Sequence, residues 1–135
     1  PALKFVSKKL KCNKQLLMTA IKSDPFALKF ACKKIKKNRN FMLKAAKVNG
    51  LSILYMDKSL NSEKLIFNEA VRENGLSLEY CPKKIRSDKE IVNKAIHQNP
   101  FSLIFASTNL RQDKEILSRA SKKHKYISKY VNYEI

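Results

Sequence analysis

Six aromatic residues, Phe5, Phe30, Tyr55, Tyr80, Phe105 and Tyr130, fall 25 positions apart without a gap. Other columns keep the same step. Ala20, Ala45, Ala70, Ala95 and Ala120 form one, and Leu10, Ile35, Leu60, Ile85, Leu110 and Ile135 another. Leu16, Phe41, Ile66, Ile91 and Ile116 make a further column, and Leu3, Leu28, Ile53, Leu78 and Leu103 one more, broken only at Ser128. A short period sustained along a whole chain means that one supersecondary unit is stacked on its copies, because such a unit cannot bury its apolar face alone. The units are 1–24 (lacking its first residue), 25–49, 50–74, 75–99, 100–124 and a partial copy, 125–135. The chain opens inside a unit, so the array is expected to be a piece of a longer protein.

Within unit 75–99, Ile91, Val92, Ala95 and Ile96 follow the helical period and make a narrow apolar stripe. Ser87 precedes Glu90 by three, a capping-box spacing, and Asp88 adds negative charge at the same helix start. A longer helix B is therefore expected over about 88–98 and its equivalents. In the first half of the unit, Phe26 and Phe30, like Leu28 and Cys32, stand one α-turn apart, which predicts a shorter helix A over 26–33. Asp24-Pro25 and Asn99-Pro100 read as an N-cap followed by proline at the first helical position. Asn49-Gly50 and Asn74-Gly75 fill the same phase, where the glycine could instead close the preceding helix in a left-handed cap. A Lys-Lys-Ile linker or similar joins A to B. Helices this short are marginal in water, so stacking must hold them. Only 2 Gly and 4 Pro in 135 residues agree with helix and argue against a turn-rich β fold. The expected fold is an all-α solenoid of tandem 25-residue two-helix repeats. Its core is assigned to the aromatic column (Phe5, Phe30, Tyr55, Tyr80, Phe105) and to the alanine column, where close contact excludes larger side chains.

The stretch S-D-K-E-I-V-x-x-A-I-x-Q-N-x-x-S-L-x-x-A, Ser87 through Ala106, resembles the helical repeats catalogued as domain of unknown function 4116. R-E-N-G-L-S-L-E-Y-C, residues 72–81, is similar to another portion of that repeat. The resemblance covers essentially the whole chain, best over 62–120. The N-terminal units depart from it, with Asn13-Lys14-Gln15 and Asn38-Arg39-Asn40 in place of an acidic start. It implies a repeat fold and no particular activity.

Catalysis needs convergent groups, and the sequence offers none. His97 shares its phase with Lys22, Lys47, Arg72 and Lys122, a solvated basic position, and His124 lies in the turn phase. No metal-protease, phosphate-loop or nucleophile-elbow motif is present. Glu63, Asp88, Glu90, Asp113 and Glu115 open the B helices, where they complement the helix dipole. Cys12, Cys32 and Cys81 are odd in number and lack a C-x-x-C pair, which fits three thiols in a reducing compartment better than a disulfide framework. The chain is accordingly expected in a cytoplasm, or in a host cytosol if it belongs to a secreted effector. No stretch has the length of a membrane span. No enzyme activity, cofactor, metal or small-molecule substrate is expected.

The net charge is +18, and residues 1–49 hold fourteen Lys/Arg against the single acid Asp24, a local +13. Such an excess attracts polyanions or acidic protein surfaces. Its recurring element is a basic linker phase: Lys8, Lys9, Lys11 and Lys14, then Lys33, Lys34, Lys36 and Arg39, then Lys83, Lys84, Arg86 and Lys89. These twelve residues are the candidate anion- or partner-binding set. Lysine outnumbers arginine, which argues against bidentate base or phosphate reading. Units also differ at the phase of Lys4, Lys29, Leu54, Glu79 and Ile104, where Leu54 and Ile104 are candidate contacts. The expected function is a non-enzymatic scaffold for protein–protein interaction, its basic edge suited to acidic partners. The alternative is sequence-tolerant RNA or DNA backbone binding through the N-terminal basic region.

Overall fold

The computed structural model describes residues 12–127 and residue 129, and every regular element among them is helical. One succession recurs at the 25-residue step. A six-residue 3-10 helix opens the unit: η1 (Pro25–Phe30), η2 (Gly50–Tyr55), η4 (Gly75–Tyr80) and η5 (Pro100–Phe105). One helical turn follows: α2 (Lys33–Lys36), η3 (Lys58–Leu60), α5 (Lys83–Arg86) and α7 (Thr108–Arg111). A ten-residue α-helix closes it: α3 (Arg39–Val48), α4 (Lys64–Glu73), α6 (Lys89–Gln98) and α8 (Lys114–Lys123), with α1 (Lys14–Ser23) ending the unit before. The long helices stack α1 on α3, α3 on α4, α4 on α6 and α6 on α8. The 3-10 helices stack beside them in the same order, and α4 touches both η2 and η4. The result is a two-layer all-α solenoid.

A single residue makes each turn between units. Asp24, Asn49, Asn74 and Asn99 are extended, and the backbone N–H of each closes the preceding helix on the carbonyl of Ala20, Ala45, Ala70 or Ala95. Their side-chain oxygens accept the N–H two residues on, from Phe26, Leu51, Leu76 and Phe101, and so start the 3-10 helix. Gly50 and Gly75 are not left-handed caps, since no described residue has positive φ. They are glycines because the long helix of the same unit approaches closely, joined at Gly75 by Ser102 of the next unit. A Cβ on Gly75 would lie 2.6 Å from Ser102 Oγ and nearer still to the carbonyl oxygen of Ala95.

The shorter half of the unit departs from the α-turn spacing read from Phe26 and Phe30. At three residues per turn, positions 25, 28 and 31 share a face, and that face turns inward. Leu28, Ile53, Leu78 and Leu103 are buried, with Ala31, Cys81 and Ala106 one turn on. The aromatic column is thereby moved to the margin of the core. Tyr55 and Phe105 are half-buried and pack against the core from its margin, whereas Phe30 is half-buried outside that cluster and Tyr80 is 42% exposed, so assigning the whole column to the core is corrected. Phe5 lies outside the described residues. In the alanine column, Ala45, Ala70, Ala95 and Ala120 are wholly buried, while Ala20, on the first described helix, is half-buried.

The long helices are capped at Asn13, Asn38, Asp88 and Asp113, whose side chains accept from Leu16, Phe41, Ile91 and Ile116. The Ser87–Glu90 capping box does not form. Ser87 instead donates to the Lys83 carbonyl at 2.9 Å, and Asp88 is the cap. Successive units are also tied by backbone bonds from Asp57 N–H to Lys36 O at 3.1 Å and from Ser107 N–H to Arg86 O at 3.0 Å. Cys32 holds the same phase as Asp57 and Ser107. There Cys12 and Cys32 are joined as a disulfide, with Cα atoms 5.5 Å apart, a normal span. The expectation of three reduced thiols is therefore corrected: units one turn apart bring two cysteines together that are 20 residues distant in sequence. Among the described residues no helix is long and apolar enough to cross a membrane.

Candidate partner-binding surfaces

Lysines gather because the turn between the 3-10 helix and the long helix must be solvated, but stacking gives them different duties. Lys33 and Lys34 on α2, and Lys83 and Lys84 on α5, are exposed and make no ion pair among the described residues. Lys36 and Arg86 turn back instead. The Lys36 ammonium donates to the Lys29 carbonyl at 2.9 Å, and burial, then the nearby Lys33, pulls its pKa below the ordinary lysine value. Arg86 is half-buried with its Nε unpartnered. Both are half-buried, beside the buried Ile35 and Ile85, and are less open to solvent than Lys33, Lys34, Lys83 and Lys84. Lys8, Lys9 and Lys11 lie outside the described residues.

Arg39 and Lys89 are engaged in ion pairs between units. Arg39 Nε meets Glu63 at 2.8 Å, Lys64 meets Asp88 at 2.9 Å and Glu90 at 3.5 Å, and Lys89 meets Asp113 at 3.4 Å and Glu115 at 3.2 Å. The first cation of each long helix thus reaches the acids that open the next. Hydrogen bonding to Asp88 and the charges of Asp88 and Glu90 raise the Lys64 pKa. Glu115 and Asp113 do the same for Lys89. Burial pushes the Asp88 carboxyl up, but the Lys64 ammonium and the Ile91 N–H outweigh it and leave it below the ordinary value. Asp113 is lowered by the Ile116 N–H and by Lys89. The column steps of 24 and 26 residues were visible in the sequence. Reading each acid as a cap alone missed its second role.

Lys14 is the exception. Its counterparts one unit on are Asn38 and Asn40, so it has no acid to meet, and a groove of about 510 Å³ opens between α1 and α3 at that junction. The residues that would hold anything there are considered below.

A second surface was only partly foreseen. The outward rows of the stacked 3-10 helices carry Leu54 (47% exposed), Leu76 (37%) and Tyr80 (42%) on the adjoining η2 and η4. Phe26 continues the strip through an edge contact with Tyr55 at 6.1 Å, and the Lys29 ammonium stands 5.0 Å over the Phe26 ring. Leu54 was anticipated as a contact. Ile104 is half-buried against the core cluster. Leu76 and Tyr80 were missed because an α-helical period turns them elsewhere.

The remaining chemistry-bearing groups are placed as follows. Burial pushes the Cys81 thiol up to about 12, against a smaller lowering by Arg86, so it is a thiol and not a nucleophile at neutral pH. His97 is exposed. His124 is half-buried rather than solvated, its ring 4.6 Å from that of Phe101. No group of three His, Cys, Asp or Glu side chains among the described residues is placed to hold a metal ion.

The family model described as domain of unknown function (DUF4116) matches residues 1–36, 13–61, 63–111 and 88–135, the longer matches each spanning about two of the 25-residue units. Neither a curated protein nor a solved structure matches the chain.

Proposed function

The chain belongs to the DUF4116 family, and we propose that it is a non-enzymatic scaffold that binds another protein, with acidic surfaces favoured. The observation that carries this reading is the exposure of three large apolar side chains, Leu54, Leu76 and Tyr80, on two adjoining 3-10 helices. Large apolar side chains left exposed on adjoining elements are characteristic of contact surfaces. A nucleic-acid backbone would gain nothing from aliphatic Leu54 and Leu76. The charge excess and the exposed lysines of α2 and α5 add electrostatic attraction for an acidic partner. Backbone binding of RNA or DNA is the second reading, favoured by the single acid among residues 1–49; it requires affinity that falls steeply with salt.

Affinity capture with and without nuclease separates the two. The scaffold reading expects protein partners that survive nuclease and are lost with the triple substitution Leu54→Ser, Leu76→Ser and Tyr80→Ser. Partners that vanish with nuclease, and are indifferent to those substitutions, would replace it with the nucleic-acid reading.

A further inference from the structure

We propose that the groove between α1 and α3 is a binding site for an acidic peptide segment of a partner protein. The proposal rests on the scaffold reading and gives it a location and a ligand chemistry. Its basis is the one described junction at which the pairing between units fails. At the three junctions that follow, a cation on one long helix meets one or two carboxylates on the next: Arg39 with Glu63, Lys64 with Asp88 and Glu90, Lys89 with Asp113 and Glu115. Between α1 and α3 the cation is present as Lys14, but amides stand in both acid positions, Asn38 and Asn40. Asn38 uses its side-chain oxygen to cap α3 by accepting from Phe41 N–H at 2.9 Å. Neither amide can neutralise an ammonium.

Space and charge coincide there. The groove holds about 510 Å³ and runs from Lys14 to Lys22 along α1, with Lys44 across it on α3. All three lysines are exposed, and the groove is lined by no carboxylate. Its walls include the half-buried Met18 and the buried Phe41. At the later junctions, between α4 and α6 and between α6 and α8, open space lies instead beside the helix C-terminal halves, around Arg72 and His97 and around Lys122. The N-terminal halves there carry the ion pairs. A carboxylate-bearing side chain from outside can therefore take the place that Glu63, Asp88 and Asp113 take from within. An apolar neighbour on the same segment would cover the half-buried Met18. That apolar wall distinguishes an acidic peptide from a phosphate backbone, whose charged groups would leave it uncovered.

The test restores the missing acids. Asn38→Asp with Asn40→Glu rebuilds the arrangement found at Asp88 and Glu90, and aspartate caps α6 at the equivalent position, so the variant is expected to fold. Binding of a fluorescein-labelled peptide of four Glu-Glu-Leu triplets is measured by anisotropy at low salt. A four-fold Gln-Gln-Leu peptide and a 12-nucleotide single-stranded DNA serve as comparisons. The expected result is binding of the acidic peptide alone, weakened at least tenfold by the double substitution and similarly by Lys22→Gln with Lys44→Gln. Three results would overturn the proposal: equal affinity for the native chain and the double variant, equal binding of the Gln-Gln-Leu peptide, or DNA binding in place of peptide binding. Peptide binding that is instead lost with Leu54→Ser, Leu76→Ser and Tyr80→Ser removes the groove but keeps the scaffold. Protein capture that fails while the peptide still binds the groove removes the scaffold reading separately.

Discussion

Replacing Gly75 by alanine adds one methyl group where the 3-10 helix of a unit presses on its own long helix and on Ser102 of the next unit. The new carbon would stand 2.6 Å from Ser102 Oγ and 3.0 Å from Gln98 Oε1, and closer still to the carbonyl oxygen of Ala95. Ordinary contact requires roughly 3.5 Å, so α6 and η4 must part by about 1 Å. The carbonyl is backbone within a helix and cannot swing aside. Overpacking of this kind costs about 1–3 kcal/mol. Parting the elements also weakens the Gly75 N–H bond to Gln98 and the Ser102 hydroxyl bond to the Ala95 carbonyl, at about 1 kcal/mol for each bond lost. Stiffening of the unfolded chain returns about 0.4–1 kcal/mol. The net expectation is a loss of about 2–4 kcal/mol, read as a lower urea midpoint by circular dichroism at 222 nm with an unchanged slope. Gly50→Ala meets the same arrangement at Ala70 and should behave alike. A neutral or stabilising result at both glycines would refute the close approach and with it the packing of η4 on α6 and of η2 on α4.

The carboxyls of Asp88 and Asp113 are held below their ordinary values in the folded chain. Their stabilisation is complete above the unfolded carboxyl pKa of about 3.9 and is lost as pH falls through the lower folded values. The urea midpoint should therefore drop below about pH 4 and should drop less in Asp88→Asn with Asp113→Asn; identical pH profiles would contradict the pairing. Cys81, with its thiol pushed up to about 12, should resist iodoacetamide at pH 8 until urea unfolds the chain, and prompt labelling of the folded chain would contradict its burial. Ser102→Ala should cost only about 1 kcal/mol, because Ala27 occupies the same phase, whereas Ser102→Leu should cost clearly more; urea midpoints of the two variants check this.

How far the sequence disclosed this molecule depends on whether a property repeats or compares. The step of 25 disclosed the stack, because identical columns need identical surroundings, and the buried Ala45, Ala70, Ala95 and Ala120 meet that need. The polar turn residues were legible because Asp24, Asn49, Asn74 and Asn99 do one job by one bonding pattern. The 3-10 winding was not legible. Phe26 and Phe30, like Leu28 and Cys32, satisfy a spacing of four, while the buried face follows the spacing of three from Leu28 to Ala31, and choosing four moved the aromatic column inward. The basic set was misjudged for another reason. Arg39 and Lys89 look like Lys14 within their own units, and only the residues 24 and 26 positions on decide which cation is engaged. Local motif reading also set Ser87 as a cap when the register of α6 gives that place to Asp88. The Cys12–Cys32 bond joins neighbours across units that no C-x-x-C spacing announces.

Zero-length carbodiimide cross-linking of the dilute native chain, followed by peptide mass spectrometry, reads the stacking most directly, since it joins only amines and carboxyls already in contact. Lys64 should link to Asp88 or Glu90, and Lys89 to Asp113 or Glu115, each one unit along. Links from these two lysines to acids two or more units away, or none once the chain is folded, would contradict it.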